Sequence, residues 1–133
     1  MKQFNEYSNS RKQGLVGLGR AIAYFTKQEI TTLLPINDSQ PYDLAIEVDG
    51  VLKKVQVKTT YSKAPSGCYV VSLRTLGGNQ SYHSAKPFDN NLSDYLYILT
   101  EDYTEYLIPS KEVLTKNQLY LNKEKDKYIV NKE

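Results

Sequence analysis

Three polar residues in one short stretch carry the chemistry this chain offers: Asp43, Gln56 and Lys58. Tyr42–Val48 alternates apolar and polar side chains and reads as a strand. Asp49-Gly50 follows, the strongest two-residue hairpin signal, and Val51–Thr60 is the return strand. With Asp49 and Gly50 in the turn, Val48 faces Val51 and Asp43 faces Gln56. Side chains two apart share a face. One face therefore carries Asp43, Ala45, Glu47, Leu52, Lys54, Gln56 and Lys58. The other carries Leu44, Ile46, Val48, Val51, Val55 and Val57 and is a core face. A carboxylate, an amide oxygen and nearby backbone carbonyls are hard oxygen donors suited to Mg²⁺. An ammonium beside them orients a water and balances charge on a phosphate, which is the equipment of metal-assisted phosphodiester hydrolysis. The same pattern also fits a solvated strand face with an incidental Asp–Lys pair.

The elements around the hairpin must hold it in place. Ser10 suits the N-cap of a helix starting at Arg11. Leu15, Leu18, Ile22 and Phe25 form its apolar stripe, and Gly14, Gly17 and Gly19 suggest a close approach to another backbone. Ile30–Leu34 and Tyr69–Arg74 read as strands, and Tyr95–Thr100 with Glu105–Ile108 as a second hairpin. Ser110–Leu114 reads as a helical turn, and Gln118–Leu121 as a strand or helix followed by a tail. Met1–Ser10 reads as a flexible arm, residues 116–133 as a C-terminal extension, and Gly77–Asn91 as a long loop. A helix followed by strands gives the α+β class.

At 133 residues and 15.2 kDa the chain is the size of one domain. One Cys and one His cannot make a disulfide or a four-ligand zinc site. No apolar run is long enough for a membrane span and the N-terminus lacks the apolar core of a signal peptide, so the expected compartment is the cytoplasm. The net charge of +2 is unevenly spread. Residues 1–86 sum to +5 and residues 87–133 to −3, with no basic residue between Pro87 and Ser110. One half can face a polyanion; the other is poorly suited to one.

Pro41-Tyr42-Asp43 followed by Gln56-Val57-Lys58 resembles the PD-(D/E)-XK nuclease motif, with Gln in place of the second acid. The wider stretch adds Ser39-Gln40-Pro41-Tyr42-Asp43-Leu44, Val55-Gln56-Val57-Lys58-Thr59-Thr60, the Gly14–Phe25 helix and Ser72-Leu73-Arg74. From about Arg11 to about Val113 it is similar to the group I intron-associated PD-(D/E)-XK homing endonucleases. That resemblance implies a restriction-endonuclease-like core: an N-terminal helix packed on a mixed sheet of four or five strands. It also implies a Mg²⁺-dependent, sequence-specific endodeoxyribonuclease, with Mn²⁺ an expected substitute. Asp43, Gln56 and the Val57 carbonyl would bind metal, and Lys58 would be the catalytic lysine. Family members often carry a Glu on the first helix after a Gly. Here Leu18 stands there, on the apolar stripe, with Asp38 a weak substitute.

Arg11, Lys12, Arg20, Lys54, Lys63 and Arg74 are candidates for phosphate contacts, and Asn79 and Gln80 for base edges. One site cuts one strand, so double-stranded DNA demands at least two copies: a homodimer or homotetramer. The expected interface is the C-terminal half, with Tyr95, Tyr97, Tyr103, Tyr106 and Tyr120 supplying apolar area. The competing readings are a Holliday-junction resolvase or restriction-type enzyme, an inactive DNA-binding module on the same fold, and a plain interaction domain.

Overall fold

The computed structural model describes residues 2, 10–37, 39–74 and 86–132. Helix α1 spans Ser10–Lys27. The strands are β1 Thr32–Leu33, β2 Leu44–Val48, β3 Val51–Thr60, β4 Tyr69–Ser72, β5 Tyr95–Thr100, β6 Glu105–Pro109, β7 Gln118–Leu121 and β8 Ile129–Asn131. A six-stranded sheet runs β1-β2-β3-β5-β6-β8, and β4 pairs with β7 in a second, two-stranded sheet. Among the described residues only the β3–β5 pair is parallel, so the large sheet is mixed. The class is α+β with an N-terminal helix on a mixed sheet, and that sheet is larger than the four or five strands expected. The additional strand is β8. It comes from the segment that reads as a tail, where Ile129 pairs with Tyr106.

The first hairpin folds as its residues dictate. Asp49 and Gly50 both have positive φ, 52° and 79°, the signature of a type I′ turn whose twist matches its strands. The register is Val48 opposite Val51 through Leu44 opposite Val55. Asp43 lies just outside β2 and leaves this register: its N–H donates to the carbonyl of Val55, the residue already paired with Leu44, at 2.9 Å, so two residues face one as in a β-bulge.

Two cores sandwich the large sheet. On one face α1 covers Leu44, Ile46, Val55, Tyr97 and Leu99. Its contact stripe is Gly17, Ala21 and Phe25, one residue every four, rather than the stripe beginning at Leu15, which is exposed. Small residues win because they let the helix lie closest to the sheet. A Cβ on Gly17 would sit 2.5 Å from Thr59 Cγ2 and 3.3 Å from Val57 Cγ1. Gly14 and Gly19 face open space, so only one of the three glycines marks a close approach. Val51, which alternation assigns to the core face, is exposed, because the helix does not reach the hairpin tip.

The opposite face carries Leu96, Ile98, Tyr106 and Ile108 and is roofed by Val71, Leu119 and Leu121 of the small sheet, with Leu73, Phe88 and Val113. The polar face of the hairpin is therefore polar only locally. From β3 to β5 it turns into a second core. Arg20, a candidate for a phosphate contact, is instead committed to the interior. Its Nη2 donates to Glu105 Oε2 at 3.2 Å, and its guanidinium stacks 5.1 Å from the Tyr103 ring centroid. Tyr97 and Asn131 donate to the same carboxylate at 2.5 and 2.6 Å. Tyr97, Tyr103 and Tyr106, expected to supply an interface, are buried within the chain's own core; Tyr120 is exposed.

Candidate active site

Beyond the end of the β2–β3 ladder Asp43 lies against β3, bonded to Val57 and within electrostatic reach of Lys58, while Gln56 of the same strand lines a cleft. Asp43 Oδ2 accepts a 2.7 Å hydrogen bond from the Val57 N–H. Its own N–H goes to Val55. The carboxylate is thus pinned to β3 across a gap that the β2 ladder no longer fills, because β2 begins at Leu44. Along β3 alternate residues point their backbone groups to opposite sides. Val55 and Val57 point toward β2, while the Lys54 carbonyl accepts from the Asp94 N–H at 2.8 Å on the β5 side. The Val57 carbonyl therefore points to the edge where Asp43 sits, beyond the end of the β2–β3 ladder.

Gln56 and Lys58 occupy the opposite face from Val57. There they border Leu96 and Ile98, their neighbours across the parallel β3–β5 pair. That apolar surrounding explains their burial. Gln56 is 8% exposed, and Lys58 is half-buried, with its Nζ 3.4 Å from the Arg74 carbonyl. Loss of water pushes the Lys58 pKa down, with Asp43 partly restoring it. Asp43 keeps contact with solvent, yet the protein crowding its carboxyl raises its pKa; the Val57 N–H and Lys58 act in the opposite direction. In both groups burial is the leading cause and works against the charged form.

The donor types suit a hard divalent cation: the Asp43 carboxylate and the Val57 carbonyl at one strand edge, with the Gln56 amide oxygen on the neighbouring residue of β3. Among the described residues no three His, Cys, Asp or Glu side chains gather at one point. A cation here would rest on one protein carboxylate and complete its shell with water and phosphate oxygens. Leu18, where the resemblance would place a Glu, packs half-buried in the helix-side core and offers no donor. Asp38 lies outside the described residues, as do Asn79 and Gln80.

The basic candidates fall into two groups. Arg11 and Lys12 are exposed on the first turn of α1. Lys54 is exposed with its ammonium 5.5 Å from the Tyr42 ring centroid, and its backbone N–H donates to Asp94 Oδ2 at 2.8 Å. Arg74 is exposed and donates to Asn117 Oδ1 at 2.9 Å, tying the end of β4 to the segment before β7. Lys63 sits over the Tyr69 ring at 5.1 Å. Glu47 is exposed, in keeping with a solvated residue.

Sequence reasoning does not find the roof. Residues 86–92 and 113–116 form one wall of a cleft of about 830 Å³, and Ser39, Gln40, Pro41 and Gln56 form the other. Its only sequence signal is the run of turn-forming residues after Pro87. Nor does sequence mark Asp94, whose carboxylate and N–H both bond the Lys54 backbone and start the parallel β3–β5 pair.

Comparison with known proteins agrees with this geometry. The structure of a bacterial homing endonuclease, I-Ssp6803I, matches with a TM-score of 0.72 at 28% sequence identity, over 88% of this chain and 80% of that one. Curated proteins give no match. A PD-(D/E)XK endonuclease family profile matches residues 8–132. Because that match spans nearly the whole chain, the chain belongs to the PD-(D/E)XK endonuclease family.

Proposed function

We propose that this protein is a metal-dependent, sequence-specific DNA endonuclease of the homing type, with Asp43, Gln56 and Lys58 as its catalytic residues. The observation that carries the reading is the Asp43 carboxylate, pinned by the Val57 N–H beside a desolvated Lys58. Asp43, Gln56 and the Val57 carbonyl are the residues to hold Mg²⁺, with Mn²⁺ able to replace it. The bound ion would polarise the scissile phosphate and lower the pKa of a coordinated water. Asp43 supplies the fixed negative charge. Gln56 adds an oxygen donor without a second charge. Lys58 orients the attacking water and offsets the charge that gathers on the phosphate, and its lowered pKa eases proton movement at Nζ. Arg11, Lys12, Lys54 and Arg74 take backbone phosphates, and Asn79 and Gln80 take base edges.

One chain holds one such site, so cleavage of both strands uses two or more copies, as a homodimer or homotetramer. Light scattering at micromolar concentration tests this; a 15.2 kDa particle, alone and with DNA, would overturn it. A second reading, a DNA-binding module without activity, is favoured by Leu18 and by the lack, among the described residues, of any cluster of three His, Cys, Asp or Glu side chains. Supercoiled plasmid incubated with Mg²⁺, with Mn²⁺ and with chelator separates the two. Metal-dependent nicking supports the enzyme, binding without nicking supports the module, and nicking in chelator overturns the metal role.

A further inference from the structure

The cleft roofed by residues 86–92 and 113–116 opens onto Gln56, so it is continuous with the candidate active site. Four of its residues do not suit an ordinary surface hollow. Lys86 and Lys116 are exposed on the same cleft, at the ends of a stretch otherwise short of cations. Leu92 and Leu114 are 45% and 84% exposed, two large apolar side chains left in water within one recess. The walls are held firmly. The Phe88 N–H donates to the Lys116 carbonyl at 2.8 Å, and Asn90 Nδ2 donates to the Val113 carbonyl at 3.1 Å. Asp89, the carboxylate in the wall, is engaged at Oδ1 by the Asn91 N–H. Phe88 and Val113 are themselves core residues, so the two segments are anchored to the core.

We propose that this cleft seats the stretch of DNA strand next to the scissile phosphate, with Lys86 and Lys116 on its phosphates and Leu92 and Leu114 against its sugars and base edges. The proposal rests on the nuclease reading above. The occupant follows from continuity with Gln56 and from local charge. Although residues 87–133 sum to −3, the cleft lining holds two ammonium groups, Lys86 and Lys116, against one carboxylate, Asp89. With the apolar surface beside them they match a strand that alternates phosphate with apolar sugar and base faces. A cleft built this way also aligns the strand, because ions alone grip without register and apolar contacts alone grip without polarity.

The test uses the full chain and one probe, a DNA duplex enriched from a randomised pool by binding to the unsubstituted protein. Binding is measured by fluorescence anisotropy across a salt series in chelator, so that no metal-dependent cleavage intervenes. The Lys86→Gln, Lys116→Gln double variant should lower the slope of log K against log salt by about 2, because each phosphate left without its lysine takes about 0.9 from the slope. Lys123→Gln with Lys132→Gln, exposed lysines that do not line the cleft, should leave the slope unchanged. Leu114→Ser should weaken binding roughly tenfold at constant slope, the order expected for one leucine going from water to contact. All these side chains are exposed, so folding is not at stake. An unchanged slope in the first variant, or an equal change in the second, overturns the cleft while leaving the nuclease reading intact. Failure of the unsubstituted protein to bind any duplex overturns both.

Discussion

Glu105 and Asp43 are carboxylates that each sit beside a cation at the large sheet, and they are built in opposite ways. Glu105 lies on the helix-side face at 3% side-chain exposure and receives Arg20, Tyr97 and Asn131. Each of its oxygens has a donor, and among the described residues no buried side-chain polar atom lacks a partner. Its demand is met inside the fold, and it helps push the Tyr97 hydroxyl, already raised by burial, far above the usual tyrosine range. Asp43 lies at the strand edge with one backbone donor, a raised pKa, and a lysine whose own pKa is lowered. Its carboxylate also stays open to solvent. The difference separates a carboxylate that holds the sheet to the helix from one that remains accessible to a ligand, which is what the proposed site needs.

The sharpest way to break this comparison is to remove Lys58. Lys58→Ala should lower cleavage by several orders of magnitude while DNA binding stays within a few-fold, since the missing interaction acts mainly in the transition state. Lys58→Arg should fail too, because a planar fork does not replace a compact ammonium. Cleavage of plasmid at the unsubstituted rate by either variant would mean that Lys58 is only a strand-face residue.

Glu105 should behave in the reverse sense. Glu105→Ala removes the acceptor of three donors and strips the partly buried Arg20 of its ion pair, a change of about 3–5 kcal/mol in stability. Urea unfolding checks it. A loss below about 1 kcal/mol would place the pair with weak surface ion pairs.

Gly17→Ala tests the link between the two regions. The added methyl would meet Thr59 at 2.5 Å on the strand that carries Gln56 and Lys58. Overpacking of this kind costs roughly 1–3 kcal/mol. Cleavage should fall along with the melting temperature as β3 is displaced; unchanged values of both would show that the helix is free to give way.

The smallest effect is the most discriminating. In chelator, Asp43→Asn should leave the melting temperature unchanged or raise it, although it abolishes metal-dependent cleavage. The sign follows from the raised pKa. Asp43 contributes stability while protonated, and that contribution is lost as pH rises through its folded-state pKa. In the unsubstituted protein this group therefore favours the fold on the acid side and opposes it near neutrality. Asp43→Asn should remove that pH dependence. A large fall in melting temperature would mean that Asp43 is a structural partner like Glu105.

Local rules make much of the site legible. The Asp49-Gly50 turn and the period of two give the pairing from Val48 opposite Val51 to Leu44 opposite Val55 residue for residue. The next step, Asp43 opposite Gln56, fails because Asp43 shares the Val55 carbonyl at the strand end. The same rules place Leu15 on the wrong side of α1, because a stripe of large apolar residues looks stronger than one of Gly17, Ala21 and Phe25. Propensity ranks side chains by size and oiliness. Packing ranks them by how closely two backbones can approach. The tyrosines of the second hairpin mislead for a related reason: alternation says which residues share a face, and nothing about what covers that face.

Sequence alone determined the hairpin, its register and the identity of the three polar residues at its open end, because turn chemistry and strand pleat act between neighbours along the chain. Tertiary structure alone decided that the polar face runs into a second core, that Arg20 belongs to Glu105, and that residues 86–92 and 113–116 roof a cleft beside Gln56. Each of these joins segments tens of residues apart. Burial, and with it the opposed pKa shifts of Asp43 and Lys58, is set by what those segments bring and not by any local pattern.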